Sequence, residues 1–113
     1  MELTSEARPE AFVVKVVSER IDAAAAIQFK DSFRALTAGT AGRIVLDLAN
    51  VAFLDSSGLG AVVGALKMLD DTQTLEIAAL SPAVEKVFKL TRMDTVFTLH
   101  ESLEAALAGP KVA

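Results

Sequence analysis

The chain has 113 residues, 52% hydrophobic and 23% charged, which suits one compact domain with a real core and leaves no room for two. A formal net charge of −4, with pI near 4.9, argues against nucleic acid or an anionic membrane as the main partner, since both reward clustered Lys and Arg. There is no cysteine, which removes disulfides, thiolate catalysis and Cys-ligated metals and points to the reducing cytoplasm.

The start, "MELTSEARPEAFVV", lacks the basic and long apolar regions of a secretory signal, and no apolar run approaches the roughly 18 residues of a membrane span. A cytoplasmic protein is expected. "AFVVKVVS", Ala11 to Ser18, is β-branched and predicts a strand, with "MELTSEA" as its hairpin partner and Arg8, Pro9 and Glu10 turning between them. In "DAAAAIQFKDSFRAL", Asp22 is placed to cap a helix whose apolar stripe is Ala26, Phe29, Phe33 and Leu36. Gly39 and Gly42 punctuate the loop before "IVLDL", Ile44 to Leu48, a near-continuous apolar run that suits a central strand covered by helices. A helix from about Ser57 to Asp70 and a strand from Thr74 to Leu80 follow. "SPAVEKVFKL" predicts a helix capped by Ser81, with Pro82 at its first position and Val84, Val87 and Phe88 buried. "TVFTLH" reads as a last strand, and "ESLEAALA" as a closing helix ended by Gly109 and Pro110. Strands alternating with helices imply an α/β domain with a partly parallel sheet.

The stretch "FLDSSGLGAVVGAL", Phe53 to Leu66, carries the chemistry. Ser56 falls at the joint of strand and helix, where unpaired N–H groups and the positive end of the helix dipole suit either a cap, for which Asp55, Ser56 and Ser57 are the candidates, or a held phosphate. Leu59, Val62, Val63, Leu66 and Leu69 complete a core stripe. The other side carries Gly60, Ala61, Gly64, Ala65 and Met68, where a solvated helix would show Lys, Glu or Gln. Gly60 and Gly64 each cost about 1 kcal/mol relative to alanine, so helix propensity does not explain them. Two readings stand: a smooth face for a docking protein beside Ser56, or a helix buried on two sides.

Other chemistries fit less well. "GLGAVVG" has the wrong spacing for a dinucleotide loop, and no phosphate-loop motif is present, so no cofactor is expected. "DSSG" is not a Gly-x-Ser-x-Gly elbow, and the sole histidine, His100, is expected to face solvent at a strand end; a hydrolase using Ser56 or Ser57 is the least favoured reading. Asp70, Asp71 and Glu76 read as solvated surface, and no metal site is expected. Asp47 is a carboxylate inside an apolar strand. It either emerges at an exposed edge, hydrogen-bonds to backbone, or joins Asp55 in an acidic site next to the serines.

"IVLDLANVAFLDSSGLGAVVGALKML", followed by "LEIAALSPAVEKVFKLTRMDTVF", resembles the bacterial anti-sigma factor antagonists, free-standing STAS domains (sulfate transporter and anti-sigma factor antagonist). The resemblance runs from about Phe12 to Leu107; "SERID", Ser18 to Asp22, departs from it where the family often has a glycine. It implies one STAS domain over residues 1–113, its core about 11–108, with a mixed sheet of four to five strands and about four helices. It implies partner switching and no catalysis by this chain. The unphosphorylated form binds a serine kinase that is also an anti-sigma factor, a GHKL-type ATPase; phosphorylation releases it, and a PP2C-type phosphatase resets the cycle. The phosphoacceptor carries over to Ser56, with Ser57 adjacent. Asp47 and Asp55 match the motif's acidic positions, and Gly58 and Gly60 its glycines. The other reading within the family is a non-switching scaffold or ligand-sensing subunit of a larger assembly. A monomer is expected, because the other helices show ordinary charged faces.

Overall fold

The computed structural model describes residues 1–108. Five strands form one sheet in the order β1-β2-β4-β6-β7. They are β1 (Leu3–Ala7), β2 (Phe12–Val16), β4 (Gly42–Asp47), β6 (Gln73–Ala78) and β7 (Thr98–His100). The β1–β2 hairpin is antiparallel and every other pairing in this sheet is parallel, giving the mixed sheet expected. Arg8 N–H closes the hairpin turn on the Ala11 carbonyl at 3.0 Å.

Four helices cover the sheet: α1 (Ala26–Thr37), α2 (Ser56–Lys67), α3 (Pro82–Leu90) and α4 (Leu103–Leu107). Alternation along β4 sorts its side chains between two layers. Ile44 and Leu46 enter the main core with Phe29 and Phe33 of α1, Val62 of α2 and Phe88 of α3. Val45 enters a smaller cluster on the other face, with Ala11, Ala78 and Ala106 of α4. Phe29 and Phe33 stack at 5.9 Å between centroids, and Phe88 meets Phe97 edge-on at 6.0 Å. Helix α3 starts as its sequence predicts: Ser81 accepts from Val84 N–H, Pro82 opens the helix, and Val84 and Phe88 are buried, while Val87 is only half-buried. Gly109 and Pro110, the expected stop to the last helix, lie outside the described residues.

Two short elements were not legible: a 3-10 turn at Met93–Thr95, which leaves only Thr98–His100 of the expected last strand "TVFTLH", and a strand before α1. Arg20–Ile21 forms a short strand, β3, which pairs in parallel with β5 (Phe53–Leu54), Ile21 opposite Leu54. Because β3 takes Arg20 and Ile21, α1 begins later than expected, and Asp22 is not its cap. Its Oδ1 instead accepts from Ala25 N–H at 3.2 Å in the turn before the helix, which has no side-chain cap. The segments that lead into α1 and α2 are thereby tied side by side.

Candidate functional site

The turn from β5 into α2 is built by three residues. Asp55 is extended and caps the helix, its Oδ1 accepting from Gly58 N–H at 2.8 Å, while its carbonyl accepts from Leu59 N–H at 2.8 Å. Gly58 is buried against β3: a Cβ there would lie 1.9 Å from the Ile21 carbonyl oxygen, so only glycine lets the helix approach that backbone. Leu54 is buried and anchors the strand side.

Of the three capping candidates, Asp55, Ser56 and Ser57, it is Asp55 that takes the role. Ser56 and Ser57 are the first two helical residues, both exposed, and neither side chain makes a hydrogen bond within the described residues. The first-turn N–H groups have no partners inside the helix, and the helix dipole puts partial positive charge there, so an anion on Ser56 would sit in a favourable field. Beside the turn, the Arg20 guanidinium lies 4.2 Å from the centroid of the Phe53 ring, which is 40% exposed, and Arg20 Nε reaches Asp22 Oδ2 at 3.3 Å. This cation and aromatic pair was missed. No local pattern reveals it, because it depends on the pairing of β3 with β5.

The small-residue face of α2 divides. Ala61 and Ala65 are buried, because α1 packs on that side of the helix, and they are not available to a partner. A Cβ on Gly64 would come within 3.0 Å of Lys30 Cδ on α1, so Gly64 gives room for that lysine's stem. Gly60 is exposed with open space around it, and Gly64 and Met68 are half-buried. Ser56, Gly60 and Lys67 thus lie on the outward side of the helix, and the Lys30 side chain crosses it at Gly64.

Asp47 is not brought to the serines. It is 4% exposed and its Oδ1 accepts from Ala49 N–H at 2.9 Å, the backbone alternative among those open from the sequence. Lying two residues from Val45, it points to the α4 face of the sheet, opposite the layer that holds α2.

Two further readings are corrected. His100 does not face solvent and Glu76 is not solvated surface. Arg43 Nε and Nη2 reach the two Glu76 carboxylate oxygens at 2.7 Å each, Nη2 also donates to the Ala106 carbonyl at 2.7 Å, and His100 Nε2 contacts Glu76 Oε1 at 2.6 Å. The Arg43 hydrogen bonds hold the Glu76 carboxyl below the usual carboxylate range; burial opposes this and the His100 contact assists it. The cluster fastens β4, β6 and β7 to the end of α4. Among the described residues no group of three His, Cys, Asp or Glu side chains could hold a metal ion, and no helix is long and apolar enough to cross a membrane.

A model of the STAS domain matches residues 2–106. The Bordetella bronchiseptica protein BtrV is 36% identical over 72 residues, 63% of this chain and 62% of its own. The anti-sigma-B factor antagonist of Staphylococcus epidermidis is 35% identical over 60 residues, 52% of this chain and 56% of its own. These matches span less than two thirds of either relative. Among solved structures, an anti-sigma factor antagonist from Mycobacterium paratuberculosis superposes with a TM-score of 0.84 at 29% identity, covering 95% of this chain and 91% of that one.

Proposed function

The chain belongs to the STAS domain family, and from that membership we propose that it is an anti-sigma factor antagonist whose grip on its partner is switched by phosphorylation of Ser56. Unmodified, it binds a serine kinase of the GHKL ATPase type that is also an anti-sigma factor, and frees that partner's other client. The kinase transfers a phosphoryl group from ATP to Ser56 Oγ and lets go. A PP2C-type phosphatase removes the phosphate and restores binding.

The observation that carries this reading is the division of labour at the α2 N-terminus. Asp55 and Gly58 build the turn, and Ser56 is left exposed with a free hydroxyl. A serine needed for the cap could not be modified without fraying the helix; this one can. The names of the Staphylococcus relative and the Mycobacterium structure support the antagonist role.

Phosphate on Ser56 adds a charge of roughly −1.5 to −2 at the head of the outward side of α2, one turn before the exposed Gly60. Helix-terminal N–H groups stabilise it in the free protein, whereas a docked partner must desolvate it. A difference of about 3 kcal/mol between those states lowers affinity roughly a hundredfold. The domain needs no refolding for this, so the switch is local.

The test is site-resolved mass spectrometry after incubation with ATP and native cell extract, followed by affinity measurement of both forms for the kinase captured by the unmodified protein. Phosphate on Ser56, lost in Ser56→Ala, together with weaker binding of the phosphorylated form, is the expected result. Equal affinity of the two forms would overturn the switch and favour a constitutive scaffold.

A further inference from the structure

The face of the sheet opposite α2 is only partly covered. Helix α4 packs over β4, β6 and β7, and beside it a cleft of about 340 Å³ opens along β1 and β2, with Leu103 of α4 as its apolar wall. Across the floor runs one cross-strand row. Thr4 on β1 stands opposite Lys15 on β2, and Lys15 stands opposite Asp47 on β4. A hydroxyl, an ammonium and a carboxylate are set side by side at the strand spacing of about 4.8 Å.

The charges in this row make no direct contact with each other. Among the described residues no ion pair joins Lys15 to Asp47, whereas Glu6 and Arg8 at the rim pair together at 2.8 Å. Asp47 is 4% exposed, gives one oxygen to Ala49 N–H, and has no other donor among the described residues. Its second oxygen is open to the cleft, since no buried side-chain oxygen or nitrogen among the described residues lacks a hydrogen-bond partner. The cleft is where a donor to that oxygen would enter.

We propose that this cleft binds a small zwitterion of the free amino-acid type, its ammonium group on Asp47 and its carboxylate on Lys15, with Thr4 as an additional hydrogen-bonding group. A simple cation would meet the Lys15 ammonium, and a simple anion the Asp47 carboxylate. Only a ligand carrying both signs satisfies the row. The cavity is at the small end of the roughly 300–1,000 Å³ usual for ligand sites, which suits a molecule of this size. The site lies on the other face of the sheet from Ser56, so it stands independently of the phosphorylation reading.

The experiment is a titration of the full, uniformly ¹⁵N-labelled chain with L-alanine and then the other free L-amino acids, followed by two-dimensional NMR. N-acetyl-L-alanine, which lacks the ammonium, and isopropylamine, which lacks the carboxylate, serve as controls. The expected result is saturable movement of the Thr4, Lys15, Asp47 and Leu103 amides with at least one amino acid and with neither control. Asp47→Asn keeps the acceptor for Ala49 N–H, and both it and Lys15→Gln should weaken that binding at least tenfold. Should Asp47→Asn fail to fold, Lys15→Gln alone carries the test. No saturable shift with any amino acid, or equal binding by wild type and Lys15→Gln, would overturn the proposal.

Discussion

Two glycines two residues apart in α2 should respond to alanine with opposite signs. At Gly58 the new Cβ would stand 1.9 Å from the Ile21 carbonyl oxygen and 2.8 Å from its carbon, where contacts below 3.0 Å essentially never occur. Backbone cannot rotate out of the way as a side-chain tip can, so either β3 or the first turn of α2 must retreat by about 1 Å. Overpacking of this kind costs about 1–3 kcal/mol, and disturbing the Asp55 cap adds about 1 kcal/mol. A total of about 3 kcal/mol corresponds to a fall in Tm of about 12 °C for a domain of this size. At Gly60 the added methyl meets nothing within 4 Å, and alanine should stabilise the helix by up to about 1 kcal/mol. Urea denaturation at constant m, with thermal melts alongside, measures both. If Gly58→Ala were as stable as wild type, or if the two variants shifted in the same direction by similar amounts, the packing of α2 against Ile21 as described would be wrong.

Glu76→Gln should cost about 2 kcal/mol near neutral pH, because it leaves the Arg43 guanidinium without its ionic partner. The folded-state pKa of Glu76 is depressed from 4.5, so its contribution is fully present above that value and is lost as pH falls through the lower folded value; the variant should show a flatter acid limb in stability measured from pH 6 to pH 2. Ser56→Ala should keep kinase binding and abolish most phosphorylation, while Ser56→Asp, with a single charge, should weaken binding by less than true phosphate does, both read by calorimetry and mass spectrometry. Arg92 follows α3 in a left-handed conformation at φ 62°, and Arg92→Gly should raise stability by about 0.5–1 kcal/mol in denaturant titration.

Local signals told the truth where local chemistry decides. Ser81 and Pro82 start α3 as their types predict, and the β-branched run through Val13, Val14 and Val16 is a strand. Asp22 misled because its capping chemistry is real but was used one turn early, and the cause is a pairing with residues more than thirty positions away. The small face of α2 was ambiguous for the same reason: its composition says that something lies close, and only the fold says that α1 covers Ala61 and Ala65 while Gly60 remains outside. Ser56 stood out from the letters, whereas its freedom from capping depends on Asp55 taking Gly58 N–H. His100 and Glu76 read as surface because their partners are 24 and 33 residues apart in the chain, beyond the reach of any local periodicity.

Strand order in the main sheet, β1-β2-β4-β6-β7, is also the order of synthesis. Each new strand adds to an edge that has already left the ribosome, and none has to be inserted between two earlier neighbours. A domain assembled in this way can fold vectorially, burying each edge with the next segment delivered. The small β3–β5 pair cannot close until residue 54 has emerged, and α2 is the segment that follows it.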